Sequence, residues 1–474
     1  MRATQSRFLF TAWPLAGHVF PQVAVAHALA RRGHEVAFYT GGRMGEIIRG
    51  EGFRCFPFAR VDEDAIATLM SGRPAEPWRV TKFPQMATLL RRWLLDTVSQ
   101  QVGDIEEVIA SWGPGVIATD PTMWGPVLVV ADKLRIKVAV CSFIPLCPLP
   151  GPDAPPFGPG LPRSGGVAVS AATWVARTVA RLSARVGRRT ANEIRRQHGL
   201  GPIDVSPTEY TGRMPLYLVP STPEFDYDRR DLPPSVRYVG PYLWNRPSTE
   251  PPTDWVAGLR RDVPCVHVTE GTFHAQRPFV LQAALVGLAG LPLQVVATTG
   301  DRPIDEIARG PIPPNIRLER WVSHADLLPR TDVMVTTGGA GSVLAALSAG
   351  VPLVLVPTEW DKPDIAQRVV EAGAGIRLAP RLCTPARLRE RVLETLRNPS
   401  YRANARRLAE QFARHGGAET AADLLVALCN SGALTSANER ANGRREANDH
   451  AAVPRRDERR IMSARTRLPH PLCL

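Results

Sequence analysis

The chain has 474 residues, 44 % of them hydrophobic, which is enough for a sizeable core in each of two or three domains. It holds no run of about 18 apolar residues, and residues 1–10 lack a signal peptide's apolar segment, so a soluble cytoplasmic protein is expected. A net charge of +13 would suit nucleic acid, an acidic membrane or an anionic substrate. No aromatic–basic interleaving or zinc-finger pattern supports nucleic acid, and scattered surface arginine is the plainer reading.

The seven cysteines show no CxxC or zinc spacing and read as reduced packing residues. In chain order, 8–11 reads as a first strand and 12–20 as the loop after it. A helix is expected over 21–32, with Pro21 in its first turn, and a second strand over 35–39. His18 lies in that loop, just ahead of the helix. Asp62, Glu63 and Asp64 form an acidic triplet with no second ligand set, so surface acids are expected rather than a metal site. Apolar residues recur at helical spacing over 88–110. Residues 115–120 read as a strand ending in Asp120, which can cap the helix that follows over 123–133. A strand over 138–143 continues the alternation. The Pro/Gly-rich 145–165 reads as a loop or flap over a cleft. Residues 167–198 read as an amphipathic helix with Trp174, Val175, Val179 and Leu182 opposite several arginines. The expected arrangement turns this apolar face to the core, while a membrane-lying or acceptor-gripping helix stays open. A strand over 216–219 precedes a proline-punctuated connection.

The second half repeats the alternation. Strands are expected over 265–268, 293–297, 316–318, 333–335 and 351–356, and helices over 385–398, 400–415 and 418–429. Two strand ends carry polar chemistry. After 333–335, Gly338, Gly339, Ala340, Gly341 and Ser342 open a helix; glycines let the backbone approach a ligand, and first-turn amides attract anions. After 351–356, Glu359, Trp360 and Asp361 reach the same sheet edge, where open α/β sheets bind ligands. By itself the glycine run is equally a tight turn with no ligand. The tail 431–474 carries nine arginines against five acids, +4, with few large apolar residues, and is expected to be disordered.

The combined pattern from Trp321 to Gly375 resembles the nucleotide-sugar signature of inverting glycosyltransferases of the GT-B fold, the UDP-glycosyltransferase superfamily. The bacterial branch acting on macrolides and other natural products is most similar. Thr337 stands where that pattern has His, Lys362 where it has Gln, and Ile365 where it often has Asn. The resemblance covers about 1–428. It implies two facing Rossmann-like α/β domains with parallel sheets: an acceptor domain over 1–220, a linker over 221–254, a donor domain over 255–416 and a closing helix over 417–430.

The same resemblance implies site residues. His18 takes the place of the general base and Asp120 that of its acidic partner. Thr272, Thr337, Gly338, Gly339, Gly341 and Ser342 would hold the diphosphate, Asp361 and Lys362 the sugar, and Trp321 with Val322 the base. No metal and no cofactor are implied beyond a UDP- or dTDP-sugar co-substrate. A small lipophilic hydroxylated acceptor is the expected partner, with weak peripheral membrane contact left open. A cell-envelope glycolipid transferase, a sugar-nucleotide epimerase and an inactive sugar-nucleotide binder remain alternatives. The helix position that carries a ribose-binding glutamate in plant relatives is Ala345 here.

Overall fold

The computed structural model describes residues 5–71, 83–245, 254–272, 277–300, 302–308 and 310–432. Two parallel sheets organise them. The first contains β1 (Arg7–Thr11), β2 (Glu35–Thr40), β3 (Arg54–Pro57), β4 (Val116–Thr119), β5 (Lys137–Cys141), β6 (Leu216–Val219) and β7 (Val236–Tyr238), in the order β3-β2-β1-β4-β5-β6-β7. The second contains β8 (Cys265–Thr269), β9 (Gln294–Thr298), β10 (Ile316–Glu319), β11 (Val333–Thr336), β12 (Leu353–Leu355) and β13 (Gly375–Arg377), in the order β10-β9-β8-β11-β12-β13. Central strands such as β4, β8 and β11 are buried along their whole length, because helices cover both faces. Each sheet therefore separates two apolar clusters. In both sheets the strand order reverses once, between β1 and β4 in the first and between β8 and β11 in the second. Those two points open the crevices in which doubly wound sheets bind ligands.

Several expectations are corrected. The first helix runs Ala16–Arg31 and not from Pro21, so His18 lies in its first turn rather than in a loop ahead of it. Pro21 lies inside this helix, one turn past its start, where it removes one backbone donor. The single helix expected over 88–110 is two, Phe83–Leu94 and Val98–Trp112. They part where the Gly125 backbone packs so close that a Cβ there would lie 2.9 Å from the Leu94 carbonyl oxygen and 2.5 Å from Val98. The stretch assigned to the linker contains β7, which pairs with β6 and extends the first sheet past residue 220. The acidic triplet is at the surface as expected, with Asp62 accepting from the Ala65 amide at 2.9 Å and Glu63 from the Gly42 amide at 2.7 Å. The tail from 433 lies outside the described residues.

The largest correction concerns the helix Val167–Gln197. Its apolar stripe faces solvent, with Trp174, Val175, Val179, Leu182 and Val186 all exposed. The side turned to the protein carries small residues such as Thr173, Ala176, Ala184, Gly187 and Ala191.

The last helix, Ala418–Asn430, does cross back: Ala421, Ala422 and Leu425 join the first domain's core, and Arg32 pairs with Asp423 at 2.8 Å. Among the described residues no helix is long and apolar enough to cross a membrane. The cysteines are packing residues as expected where buried; burial pushes the Cys141 and Cys147 thiols up to about 12.

The Pro/Gly-rich loop joins the two domains. Asp364, on the helix Lys362–Glu371, accepts from the amides of Gly158 at 2.7 Å and Gly160 at 3.1 Å. Arg377 donates to the Gly160 carbonyl at 2.8 Å, and Arg368 to those of Phe225 at 2.9 Å and Asp226 at 2.8 Å. Gly160 has φ +61, and a Cβ there would lie 2.4 Å from the Pro363 carbonyl oxygen, so only glycine allows this approach.

Burial lifts the Asp364 carboxyl to about 7, against the opposing pull of the two amides. A carboxyl that binds its proton more tightly when folded contributes stability that is full below its unfolded pKa, about 4, and is lost as pH rises toward 7. The melting-temperature advantage of wild type over Asp364→Ala should therefore shrink between about pH 5 and about pH 7.5. An advantage that grows over that range would show that the ionised carboxylate is the stabilising form.

Candidate active site

The first crevice is built from the loops after β1 and β4. Asp120 directly follows β4 and is fully buried. Its Oδ1 accepts from the Thr122 amide at 2.6 Å, the Met123 amide at 3.1 Å and the Thr122 hydroxyl, closing the turn before the helix Trp124–Lys133. Its Oδ2 accepts from the Trp13 amide at 3.4 Å and lies 3.1 Å from Nδ1 of His18. Every group facing this carboxylate is thus a donor, and the imidazole must turn a protonated Nδ1 toward it. That leaves Nε2 as the acceptor nitrogen. The Thr122 oxygen, 3.3 Å from Nδ1, shares the same hydrogen. Phe143 fixes the other face of the ring, with centroids 4.0 Å apart. His18 is 9 % exposed, so its ring is nearly enclosed.

The second crevice faces the first. Gly338 follows β11 with φ +90, and the helix Ala340–Ser348 starts immediately after it. Gly338 backs onto Lys362: a Cβ there would be 3.4 Å from the Lys362 carbonyl oxygen. Thr272 is exposed beyond the end of β8. Thr337, beyond β11, is buried and its hydroxyl donates to the Glu270 carbonyl at 3.0 Å. It therefore ties the β8 and β11 turns together, and its donor does not point into the cradle as the expected diphosphate contact requires. Lys362 is one cation at this edge, 5 % exposed, with Nζ 3.1 Å from the Thr358 hydroxyl.

Glu270 was not anticipated. Its carboxylate caps the helix Phe279–Gly287, accepting from the Val280 amide at 2.8 Å, and burial raises its pKa against the fields of Arg302 and Lys362. Trp321 is half-buried after β10, whereas the Val322 side chain belongs to a small core with Val256, Cys265 and Leu327. The side chain of Val322 is therefore not available to meet a base.

The turn 358–361 brings the crevices together. Trp360 has φ +62, a left-handed conformation that costs a non-glycine residue about 1–3 kcal/mol. Its ring lies 6.1 Å from Trp93 of the first domain, which in turn lies 5.4 Å from Trp13. Asp361, next in sequence, is half-buried; burial raises its carboxyl despite opposing fields from Lys362 and His18. The imidazole and the donor-side acid thus lie near the partly exposed rings of Phe143 and Trp360, and Trp360 packs against Trp93, which is buried in the first domain's core with Trp13. Sequence reasoning named His18 and Asp120 but missed Thr122, Glu270 and the rings of Phe143 and Trp360. One signal was available: an aromatic stands one to five residues past the ends of β1, β5 and β12.

Two facing parallel-sheet domains, each with a polar crevice at its switch point, define the GT-B architecture. Residues 14–119 match the glycosyltransferase family 28 N-terminal domain, and residues 283–428 the C-terminal domain described as erythromycin biosynthesis protein CIII-like. The chain is 34 % identical over 435 residues to 4'-demethylrebeccamycin synthase of Lentzea aerocolonigenes, covering 89 % of this chain and 99 % of the relative. It is 27 % identical to demethyllactenocin mycarosyltransferase of Streptomyces fradiae, over 88 % of this chain and 85 % of the relative. The fold matches the calicheamicin glycosyltransferase CalG4 (TM-score 0.65, 22 % identity, 90 % of this chain and 98 % of that one). It also matches SnogD from Streptomyces nogalater (TM-score 0.64, 21 % identity, 90 % and 100 %). The chain belongs to the GT-B glycosyltransferases of the UDP-glycosyltransferase superfamily, in their bacterial macrolide- and natural-product-glycosyltransferase-like branch.

Proposed function

We propose that this enzyme transfers a hexose, with inversion, from a UDP- or dTDP-sugar to a hydroxyl of a small lipophilic natural product. The pairing of His18 with Asp120 at the first switch point carries the reading. With Nδ1–H held by Asp120, Nε2 is the atom that takes the acceptor's proton as its oxygen attacks the anomeric carbon. The proton moves to the imidazole, the new carbon–oxygen bond forms, and the bond to the diphosphate breaks on the opposite face. The leaving diphosphate meets the first-turn amides after Gly338 and the Lys362 ammonium, which supply its counter-charge without a metal. The relatives' names, a rebeccamycin synthase and a mycarosyltransferase, support a natural-product acceptor. The partly exposed rings of Phe143 and Trp360 near His18 support a lipophilic one.

An intact His18–Asp120 pair argues against an inactive binder. The functional test is a crossed screen of UDP- and dTDP-sugars against phenolic, macrolide and carotenoid-like acceptors, read by mass spectrometry, with donor hydrolysis followed in the absence of acceptor. Neither transfer nor hydrolysis with any donor would reject the reading.

The donor's ribose is read weakly here. Ala345, on the helix after the cradle, offers no hydrogen bond to a ribose hydroxyl, and one such bond is worth about 0.5–1.5 kcal/mol. UDP and dTDP should then inhibit competitively within about tenfold of each other. A preference for UDP beyond about a hundredfold would mean that another residue reads the 2′-hydroxyl.

A further inference from the structure

The exposed face of the helix Val167–Gln197 has no role in the site above. Val175, Val179, Leu182 and Val186 recur at spacings of four, three and four, and so form one straight stripe. All four are at least 45 % exposed, and Trp174 is 68 % exposed at the stripe's margin. Arg181, Arg185 and Arg189 run along the flank next to the stripe, on the side where Trp174 lies. Across 154–192 the chain has six arginines and no acid. Helical spacing of this kind often builds a coiled-coil seam, and a second copy is the obvious candidate occupant. Self-pairing would, however, set the arginine flank against another copy of itself, with no acid in the segment to relieve it. The occupant that suits both the stripe and the flank is apolar inside and negatively charged at its surface.

We propose that this helix lies on an anionic lipid surface, with Val175, Val179, Leu182 and Val186 inserted at the headgroup boundary. Trp174 sits at the interface and the arginines pair with lipid phosphates. An in-plane helix of this kind combines a stripe of aliphatic and aromatic residues with a basic polar face and low overall hydrophobicity, as this sequence does. The buried end, with Ala191, Ile194 and Arg195 packed on the first domain, anchors it to the body of the enzyme. Arg177 donates to the Pro152 carbonyl at 3.0 Å, which fastens the helix to the loop that bridges the two domains.

The test is flotation of the full-length enzyme with vesicles of phosphatidylcholine alone or containing about one-third phosphatidylglycerol. Wild type should bind the anionic vesicles at least about tenfold better, and lose that binding in about 0.5 M salt. Val179→Asp with Leu182→Asp, both at exposed positions, should reduce binding at least about tenfold while the melting temperature and the affinity for UDP stay unchanged. Arg181→Glu with Arg185→Glu should do the same. If the aspartate variant binds vesicles as well as wild type, net charge or the C-terminal tail is the cause and the proposal fails. It fails equally if wild type ignores vesicles but forms a dimer, or a complex with an acidic protein, that the aspartate variant disrupts.

Discussion

Replacing His18 by alanine should lower the rate of sugar transfer by about 10²- to 10⁴-fold while leaving affinity for UDP and dTDP nearly intact. The ring contacts Phe143, Thr122 and Asp120, all in the first domain, and on the donor side its field reaches Asp361. Alanine is well suited to the first turn of the helix Ala16–Arg31, so the helix should persist, and thermal melting reads what the loss of Asp120's buried partner costs. Stopped-time assays with the best donor–acceptor pair, alongside nucleotide binding by calorimetry, separate the two quantities. Activity above about a tenth of wild type would remove His18 as the base.

How much of this site could be read from the sequence follows from how each part is encoded. β8, β11 and β12 sit at the centre of a sheet covered on both faces, so they are short continuous apolar runs that stand out. β3 and β13 are sheet edges with half-exposed patterns, and β7 is an edge strand of three residues; none leaves such a run. His18 and Asp120 lie about a hundred residues apart, and only the resemblance paired them; the strand order then supplies the reason, since β1 and β4 flank the switch point. Thr337 was located correctly, but its hydroxyl direction depends on a backbone carbonyl 67 residues away. The helix 167–197 was legible as a helix and as amphipathic. Which face it buries was not legible, because small residues can pack closely against a neighbour while larger ones stay in water.

Asp120→Asn is expected to be nearly as damaging to turnover as His18→Ala, although it removes no atom from the imidazole. The two oxygens of Asp120 serve different partners. Oδ1 closes the turn 120–123 through the Thr122 and Met123 amides, and an asparagine carbonyl oxygen can keep those bonds. The amide nitrogen must then replace Oδ2, which faces Nδ1 of His18 and the Trp13 amide. An N–H pointed at Nδ1 is satisfied only if Nδ1 becomes the acceptor, which moves the ring's proton to Nε2 and leaves no basic nitrogen for the acceptor hydroxyl. The same exchange in a buried Asp–His pair of a serine protease costs about 10⁴ in turnover, and a loss of about 10²- to 10⁴-fold is expected here. Stability should fall by only the weak Trp13 bond, about 0.5–1.5 kcal/mol. Asp120 is thus a positioning residue, and turnover measured beside thermal melting distinguishes that role from a purely structural one. A variant that melts many degrees lower but keeps wild-type turnover when folded would reduce Asp120 to a cap for the helix Trp124–Lys133.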